Sequence, residues 1–297
     1  MRAERIERAS LYSEVTNRII AELEEGRLPW VQPWDSAACG CTMPQNAGTG
    51  RKYSGINVLI LWAEVVAKGY ASQRWLTYRQ AEAAGGNVRR GEKGTVICYA
   101  DRFTPKAEQE QARSEDREAR QVAFLKRFTV FNIDQCEGLP EDYLAPMVSP
   151  DPVLTIAEAD SLIAATGARV NIGGSEAFYS PSHDFVQVPS QAAFPEPINW
   201  YRTALHELGH WTGHGSRLDR DQKGGFGSEA YAKEELVAEM AAAFTCASLG
   251  IAPTVRHSDY IASWLSVLRD DEKAIFRAAS QASKASDYLL AFAGAEQ

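Results

Sequence analysis

The chain has 297 residues, 45% of them apolar and 24% charged, which is the make-up of an ordinary globular protein. That length has room for one large domain or, preferentially, two of about 150 residues each. No window approaches the ~18 uninterrupted apolar residues of a membrane helix, and the charged start MRAERIERASLYSEV has no apolar signal core, so neither a membrane span nor export is expected. The five cysteines (Cys39, Cys41, Cys98, Cys136, Cys246) include no CxxC pair, which favours free thiols in a reducing cytoplasm over a disulfide frame. The net charge of −8 argues against a nucleic-acid partner, but it is unevenly spread. Residues 151–297 carry all of it, while residues 51–106 hold ten basic against four acidic side chains.

In chain order, residues 10–25 read as an amphipathic helix with Leu11, Val15, Ile19 and Leu23 at helical spacing, Ser10 as its cap and Gly26 at its end. LPWVQPW follows, where two prolines forbid a helix interior and present Trp30 and Trp34 on an extended segment. A second helix spans about 55–68 and closes at Gly69. Next come a short helix at TYRQAEAAGG, a basic turn NVRRGEKG, and strands at TVICYADRF and FLKRFTVFNI. Between those strands, residues 104–121 have no aliphatic side chain larger than alanine and are expected to form a mobile excursion without a buried face. Four prolines in residues 138–153 mark a linker. Beyond it the pattern predicts a helix near 155–166, short strands over 168–189, and helices at about 198–213, 230–249 and 257–280.

The stretch HELGHWTGH, residues 206–214, contains three of the five histidines. Residues i and i+4 of a helix lie one above the other, so His206 and His210 can grip one cation from adjacent turns. Glu207 can reach a cation-bound water without being a ligand, which is the arrangement of a zinc hydrolase. Tyr201, Leu205, Leu208 and Thr212 form this helix's core face, and Gly209 is expected to leave space beside the metal. A third ligand is required. His214 lies one helical turn further on, and the position six residues after His210 is Ser216, which excludes the metzincin pattern. In YAKEELVAEMAAAF, Leu236, Met240 and Phe244 form a buried stripe with Glu235 and Glu239 beside it at i,i+4 spacing. This order matches thermolysin-like zincins, so Glu235 is the expected ligand and Glu239 the carboxylate that orients a histidine, with Glu234 and His214 as alternative ligands. The cofactor expected is Zn2+ or another divalent cation. The loop KGGFGSE, 223–229, suits a lid over the site, and His183 or Tyr179 in the strand-like segment before the metal helix are candidates to face the cleft.

Between Arg51 and Lys106 the cations alternate with aromatics, a mixture suited to single-stranded nucleic acid, where cations follow phosphates and flat rings stack on bases. The candidates are Arg51, Lys52 and Tyr53, then Arg74 and Trp75, then Arg89, Arg90 and Lys93 in the basic turn.

The strings YSEVTNRIIAELEEGRLPWVQPW, PQNAGTGRKYSGINVLILW, RWLTYRQAEAAGGNVRRGEKG and FTVFNIDQCEGLP resemble the N-terminal domain of the ArdC family of plasmid antirestriction proteins, a domain shared with TraC-type conjugative primases. The segment from the Tyr179 strand through HELGHWTGH to YAKEELVAEMAAAF is similar to that family's zincin-like metallopeptidase domain. The resemblance implies a cytoplasmic protein that binds single-stranded DNA without strong sequence preference and shields incoming plasmid DNA from host restriction endonucleases during conjugation. It implies a second partner as well, either the host endonuclease or a DNA-bound protein substrate, and no membrane. The expected fold is α+β in two domains: a single-stranded DNA-binding module over 1–137, a Pro-rich linker over 138–153, and a mostly helical zincin-like domain with a small sheet over 154–297. Two rival functions stay open at this point: stoichiometric DNA shielding with a structural metal, and a general cytosolic zinc peptidase.

Overall fold

The computed structural model describes residues 10–31, 42–115, 117–120, 122–144, 152–225, 227–252 and 260–294. Trp34, the Cys39–Cys41 pair, Phe226, residues 145–151 of the proline-rich linker and the start of the expected 257–280 helix lie outside them.

Helix α1 (Leu11–Glu24) starts where Ser10 Oγ accepts from the Ser13 amide, so the expected cap forms. Helix α2 (Ile56–Lys68) ends at Gly69 with φ +66°, a left-handed C-cap that glycine adopts without strain. Strands β1 (Gln45–Asn46) and β2 (Arg74–Leu76) run parallel, and β2 pairs antiparallel with β5 (Val122–Asn132). Strand β5 in turn pairs with β4 (Thr95–Phe103), from Thr95 opposite Val130 to Phe103 opposite Val122, giving a sheet of order β1-β2-β5-β4. At the edge strand β4, the Asn57 side chain of α2 accepts from the Cys98 amide at 2.8 Å and donates to its carbonyl at 2.7 Å. That occupies backbone groups which an open edge would leave to another chain. Helix α3 (Tyr78–Ala83), opened by a Thr77–Gln80 capping box, leads to β3 (Asn87–Val88), which pairs with β6 (Cys136–Glu137).

The excursion between β4 and β5 is not structureless. It carries helix α4 (Lys106–Ser114), in which Ala112 is the one buried side chain. Its Glu, Gln, Arg and Ala residues are strong helix formers. Gln111 Nε2 donates to Glu115 and Arg117 Nη1 to Glu108 at 2.6 Å, so local bonds and propensity replace a buried face.

After the short helix α5 (Glu141–Leu144), helix α6 (Pro152–Ala165) precedes a second sheet. There β9 (Phe185–Val188) lies between β7 (Val170–Ile172), parallel to it, and the antiparallel edge strand β8 (Phe178–Ser180). Helices α7 (Pro197–Trp211), α8 (Glu229–Ser248), α9 (Ile261–Asp270) and α10 (Ala274–Leu290) complete the chain. The single expected helix over 257–280 is thus two. Asp271 adopts φ −143° and ψ 102°, and its side chain accepts from the Lys273 amide, a turn that restarts the helix in a new direction.

The largest core draws on both sides of the proline-rich stretch. Ile19 and Leu23 of α1 and Val58, Leu59, Leu61 and Trp62 of α2 cluster with Leu236, Met240 and Phe244 of α8, Trp264 of α9 and Ile275 of α10. Trp62 meets Phe244 edge-on at 5.7 Å, and Trp30 meets Trp264 at 5.3 Å. Trp30 is therefore fully buried, contrary to its expected presentation on an extended segment. A separate cluster joins α6, the second sheet and α7 through Leu162, Val186, Val188, Leu205 and Leu208.

Candidate metal centre

The apolar stripe of α7 dictates how the HELGH segment faces. Tyr201, Leu205, Leu208 and Thr212 are buried as the periodicity predicts, which turns His206, Glu207 and His210 toward α8 and the edge strand. Helix α8 packs Leu236, Met240 and Phe244 into the core, so Glu235 and Glu239 face α7. Gly209 has a different task from the one expected of it. A Cβ there would lie 3.3 Å from the Ala238 carbonyl oxygen and 3.4 Å from its Cα, so glycine serves close approach of α7 to α8 rather than room beside a metal.

The result is a convergence of three ligand atoms. Glu235 Oε2 lies 3.5 Å from His206 Nε2 and Glu235 Oε1 3.4 Å from His210 Nε2. The ligand atoms of His206, His210 and Glu235 all fall within 4.8 Å of one another. Ligands held on arms of about 2.0–2.2 Å around a tetrahedral ion stand roughly 3.3–3.5 Å apart, so this donor set fits a divalent cation. Oxygen and imidazole donors with no thiolate suit zinc and manganese alike.

Each imidazole also has a carboxylate on its far nitrogen. His206 Nδ1 lies 3.7 Å from Glu239 Oε1. The Nδ1–H of His210 donates to Glu234 Oε1 at 3.2 Å, and Glu234 is gripped in turn by Arg220. Glu234 therefore sits behind His210 and not among the converging atoms. His214 likewise turns away, with Nδ1 bonded to Ser216 Oγ at 2.8 Å. Glu234, Glu235 and Glu239 are all buried, so none belongs to a solvated helix face.

Burial works against charge at these groups, and their partners outweigh it. Desolvation disfavours the His210 imidazolium, yet Glu234 and Glu235 hold its pKa up at about 10. Desolvation raises the Glu234 carboxyl, while His210 and Arg220 bring it down to about 2. Glu235 is held well below the usual carboxylate range by both imidazoles against the opposing effect of its burial.

Glu207, 6% exposed, lines the same cavity of about 700 Å³ as the two histidines, Glu235, Phe178, Tyr179 and Tyr231. Sequence reasoning passed over Tyr231, which stands one helical turn before Glu235 with its hydroxyl 3.2 Å from that of Tyr260. Burial and hydrogen bonding to Tyr260 and Glu235 push its phenol well above the normal range, so it stays protonated. Tyr179 reaches the cleft, but its hydroxyl donates to Asp184 at 2.8 Å and accepts from Arg217, which stacks over Trp211 at 4.0 Å. His183 bonds to Ser180 and Ser182 through Nδ1 and is not among the cavity's lining residues. Of the expected lid, Gly224 lines the cavity.

The candidate DNA-binding residues separate into three groups. Arg51, Lys52, Arg90 and Lys93 are exposed or half-exposed at the surface. Arg74 donates to the carbonyls of Asp142 and Tyr143, and Arg89 to those of Asp134 and Cys136 as well as to Glu92, so both brace the fold. Trp75 is fully buried, edge-on to Tyr70, because β2 is covered on that side; it is not available to stack on a base. Tyr53 is half-buried. The exposed rings lie elsewhere: Tyr78, and the pair Tyr99–Phe128 on β4 and β5, 5.8 Å apart. Strand alternation does not reveal Tyr99, which shares its parity with the buried Thr95 and Ile97 and yet is exposed.

Among the described residues no helix is long and apolar enough to cross a membrane.

Comparison with known proteins bears on both halves. Residues 9–131 match the N-terminal domain of the anti-restriction factor ArdC, and residues 157–281 match a zincin-like metallopeptidase domain. The chain is 41% identical to an Escherichia coli DNA primase TraC over 95% of its own length, but it spans only 27% of that primase. It is equally identical, at 41%, to the uncharacterized protein y4eC of Sinorhizobium fredii, covering 95% of this chain and 92% of that one. The metal-free crystal structure of the antirestriction protein ArdC from plasmid R388 superposes with a TM-score of 0.81 at 41% identity, covering 97% of this chain and all of the other. The Mn(II)-bound form of that protein gives 0.79 at 40% identity over the same shares. Similar from end to end to a protein of this architecture, and with both of its modules in the same order, the chain belongs to the ArdC family of antirestriction proteins.

Proposed function

We propose that this protein binds single-stranded DNA without strong sequence preference, protects incoming plasmid DNA from restriction, and carries a divalent-cation hydrolase site directed at peptide bonds. The observation that carries the second half is the convergence of His206, His210 and Glu235 beside Glu207 in one cavity. His206, His210 and Glu235 would hold the cation, Zn2+ being the first candidate and Mn2+ the second. When bound, the cation lowers the pKa of a water and polarises a carbonyl. Glu207 would take a proton from a water so bound, Glu234 holds the His210 imidazole with Nε2 inward, and Glu239 lies 3.7 Å from Nδ1 of His206. Tyr231, kept protonated, lines the cavity with its hydroxyl engaged by Tyr260 and Glu235.

Support for the DNA half comes from surface cations on the basic turn and near β1, together with exposed rings on the β4–β5 hairpin. Tyr78, Tyr99 and Phe128 take the stacking task that Trp75 cannot. The site of action is the cytoplasm, where incoming DNA meets the endonuclease.

Glu207→Ala tests the reading. The wild type should cleave a DNA-associated protein in the presence of single-stranded DNA and the cation, and the variant should not, while both bind DNA and metal. Full protection of plasmid DNA in cells by the variant would show that shielding is stoichiometric and that hydrolysis is not the means of protection.

A further inference from the structure

Residues 212–225 leave the end of α7 and return toward α8, and two of their side chains reach back to the carboxylate behind His210. The Arg220 guanidinium, 5% exposed, donates from Nε to Glu234 Oε2 at 3.0 Å and from Nη2 to Oε1 at 2.8 Å. The same group donates to Thr212 Oγ1 at 2.8 Å and to the Gly209 carbonyl at 2.6 Å, in the last turn of α7. Gln222 Nε2 donates to the His210 carbonyl at 2.7 Å and to Glu234 Oε1 at 3.0 Å. The packing leaves no slack. A Cβ on Gly213 would lie 2.6 Å from Gln222 Nε2 and 2.8 Å from Arg220 Nη2.

A two-pronged guanidinium fixes a carboxylate in one plane, and Glu234 so fixed takes the Nδ1–H of His210. That makes Nε2, opposite Glu235, the nitrogen that a cation can reach and engage once its proton is displaced. Gln222 and Gly224 also line the cavity, so the loop that braces His210 is part of the wall beside it.

We propose that Arg220 and Gln222 are positioning residues for the divalent cation, and that ion binding and closure of the 212–225 loop form one linked equilibrium. The proposal rests on the reading of His206, His210 and Glu235 as ligands. By reciprocity, whatever factor loop closure adds to ion affinity, the ion adds to loop closure.

The test uses the full chain with Mn(II) as the probe, titrated calorimetrically, and amide hydrogen exchange of residues 213–225 with and without the ion. Arg220→Lys keeps the positive charge and removes the fork. Gln222→Ala changes no charge, and it keeps the question decidable if the first variant folds poorly. Both should bind Mn(II) about 10–100-fold more weakly than wild type, the range found when partners of metal ligands are removed. The ion should slow exchange in the loop of the wild type and do so less in the variants. Wild-type Mn(II) affinity in both variants, with only the unfolding temperature of the metal-free protein lowered, would show a structural brace and overturn the proposal. A wild type that binds no Mn(II) would instead remove the ligand reading on which it rests.

Discussion

Loading the site with a cation should release a proton, and the release should be measurable where an ordinary histidine would give none. Burial disfavours the charged His210, but Glu234 and Glu235 lift its pKa to about 10 in the metal-free protein. A cation needs the Nε2 lone pair, so the ion must displace that proton. At pH 8 a group with a pKa near 10 is almost wholly protonated, whereas an unperturbed imidazole near 6.5 is only about 3% protonated. Mn(II) binding at pH 8 should therefore release about one proton per site, and apparent affinity should rise about tenfold per pH unit, roughly 1.4 kcal/mol, between pH 7 and 9. Calorimetry in two buffers of different ionisation enthalpy reads the proton count directly. Release of less than roughly a tenth of a proton at pH 8, or an affinity flat with pH, would refute the assignment of His210 as a protonated, carboxylate-held imidazole. The same shifts fix the pH dependence of metal-free stability. The raised His210 pKa contributes fully below its unfolded value of 6.5, and the contribution is lost as pH rises toward 10. Glu234, lowered to about 2, contributes fully above its unfolded value of 4.5 and loses that as pH falls toward 2. The pair thus stabilises the metal-free protein most between pH 4.5 and 6.5.

Three other outcomes are expected. Trp62→Ala removes a fully buried indole packed on Phe244 and should cost about 3–5 kcal/mol, read by chemical denaturation as a single shifted transition. Charge reversal at Arg90 and Lys93 on the basic turn should weaken single-strand binding in fluorescence anisotropy and reduce the log–log salt slope by about 0.7 for each phosphate no longer engaged; an unchanged slope would place the DNA elsewhere. Tyr99→Ala should weaken DNA binding by about 1–3 kcal/mol with little effect on stability, whereas Trp75→Ala should lower stability first, because its ring is inside.

The convergence of the candidate metal-centre residues was legible because helical periodicity determines direction. Once Leu205 and Leu208 point inward, His206 and His210 must share the neighbouring face, and the stripe of Leu236, Met240 and Phe244 places Glu235 and Glu239 in the same way. Helix caps such as Ser10 and Gly69 were legible because their chemistry is local. Arg220 and Gln222 were not, because a loop has no period and their partners lie up to 14 residues away. Trp75 was misread because composition counts rings without saying which side of a strand is covered. Helix α4 has no apolar face to reveal it and is held by propensity and side-chain pairs instead. The turn at Asp271 was hidden by apolar spacing that continues on both sides of it.

Helix α8 has two allegiances. One face offers Glu235 to the histidines, and the other is roofed by Trp62 and its neighbours from the first half of the chain. Recombination that joined either half to a foreign partner would strip that roof and leave Met240 and Phe244 facing water. The two halves are therefore expected to be inherited as a block, with the cut points tolerated by evolution lying outside the pair and not between them.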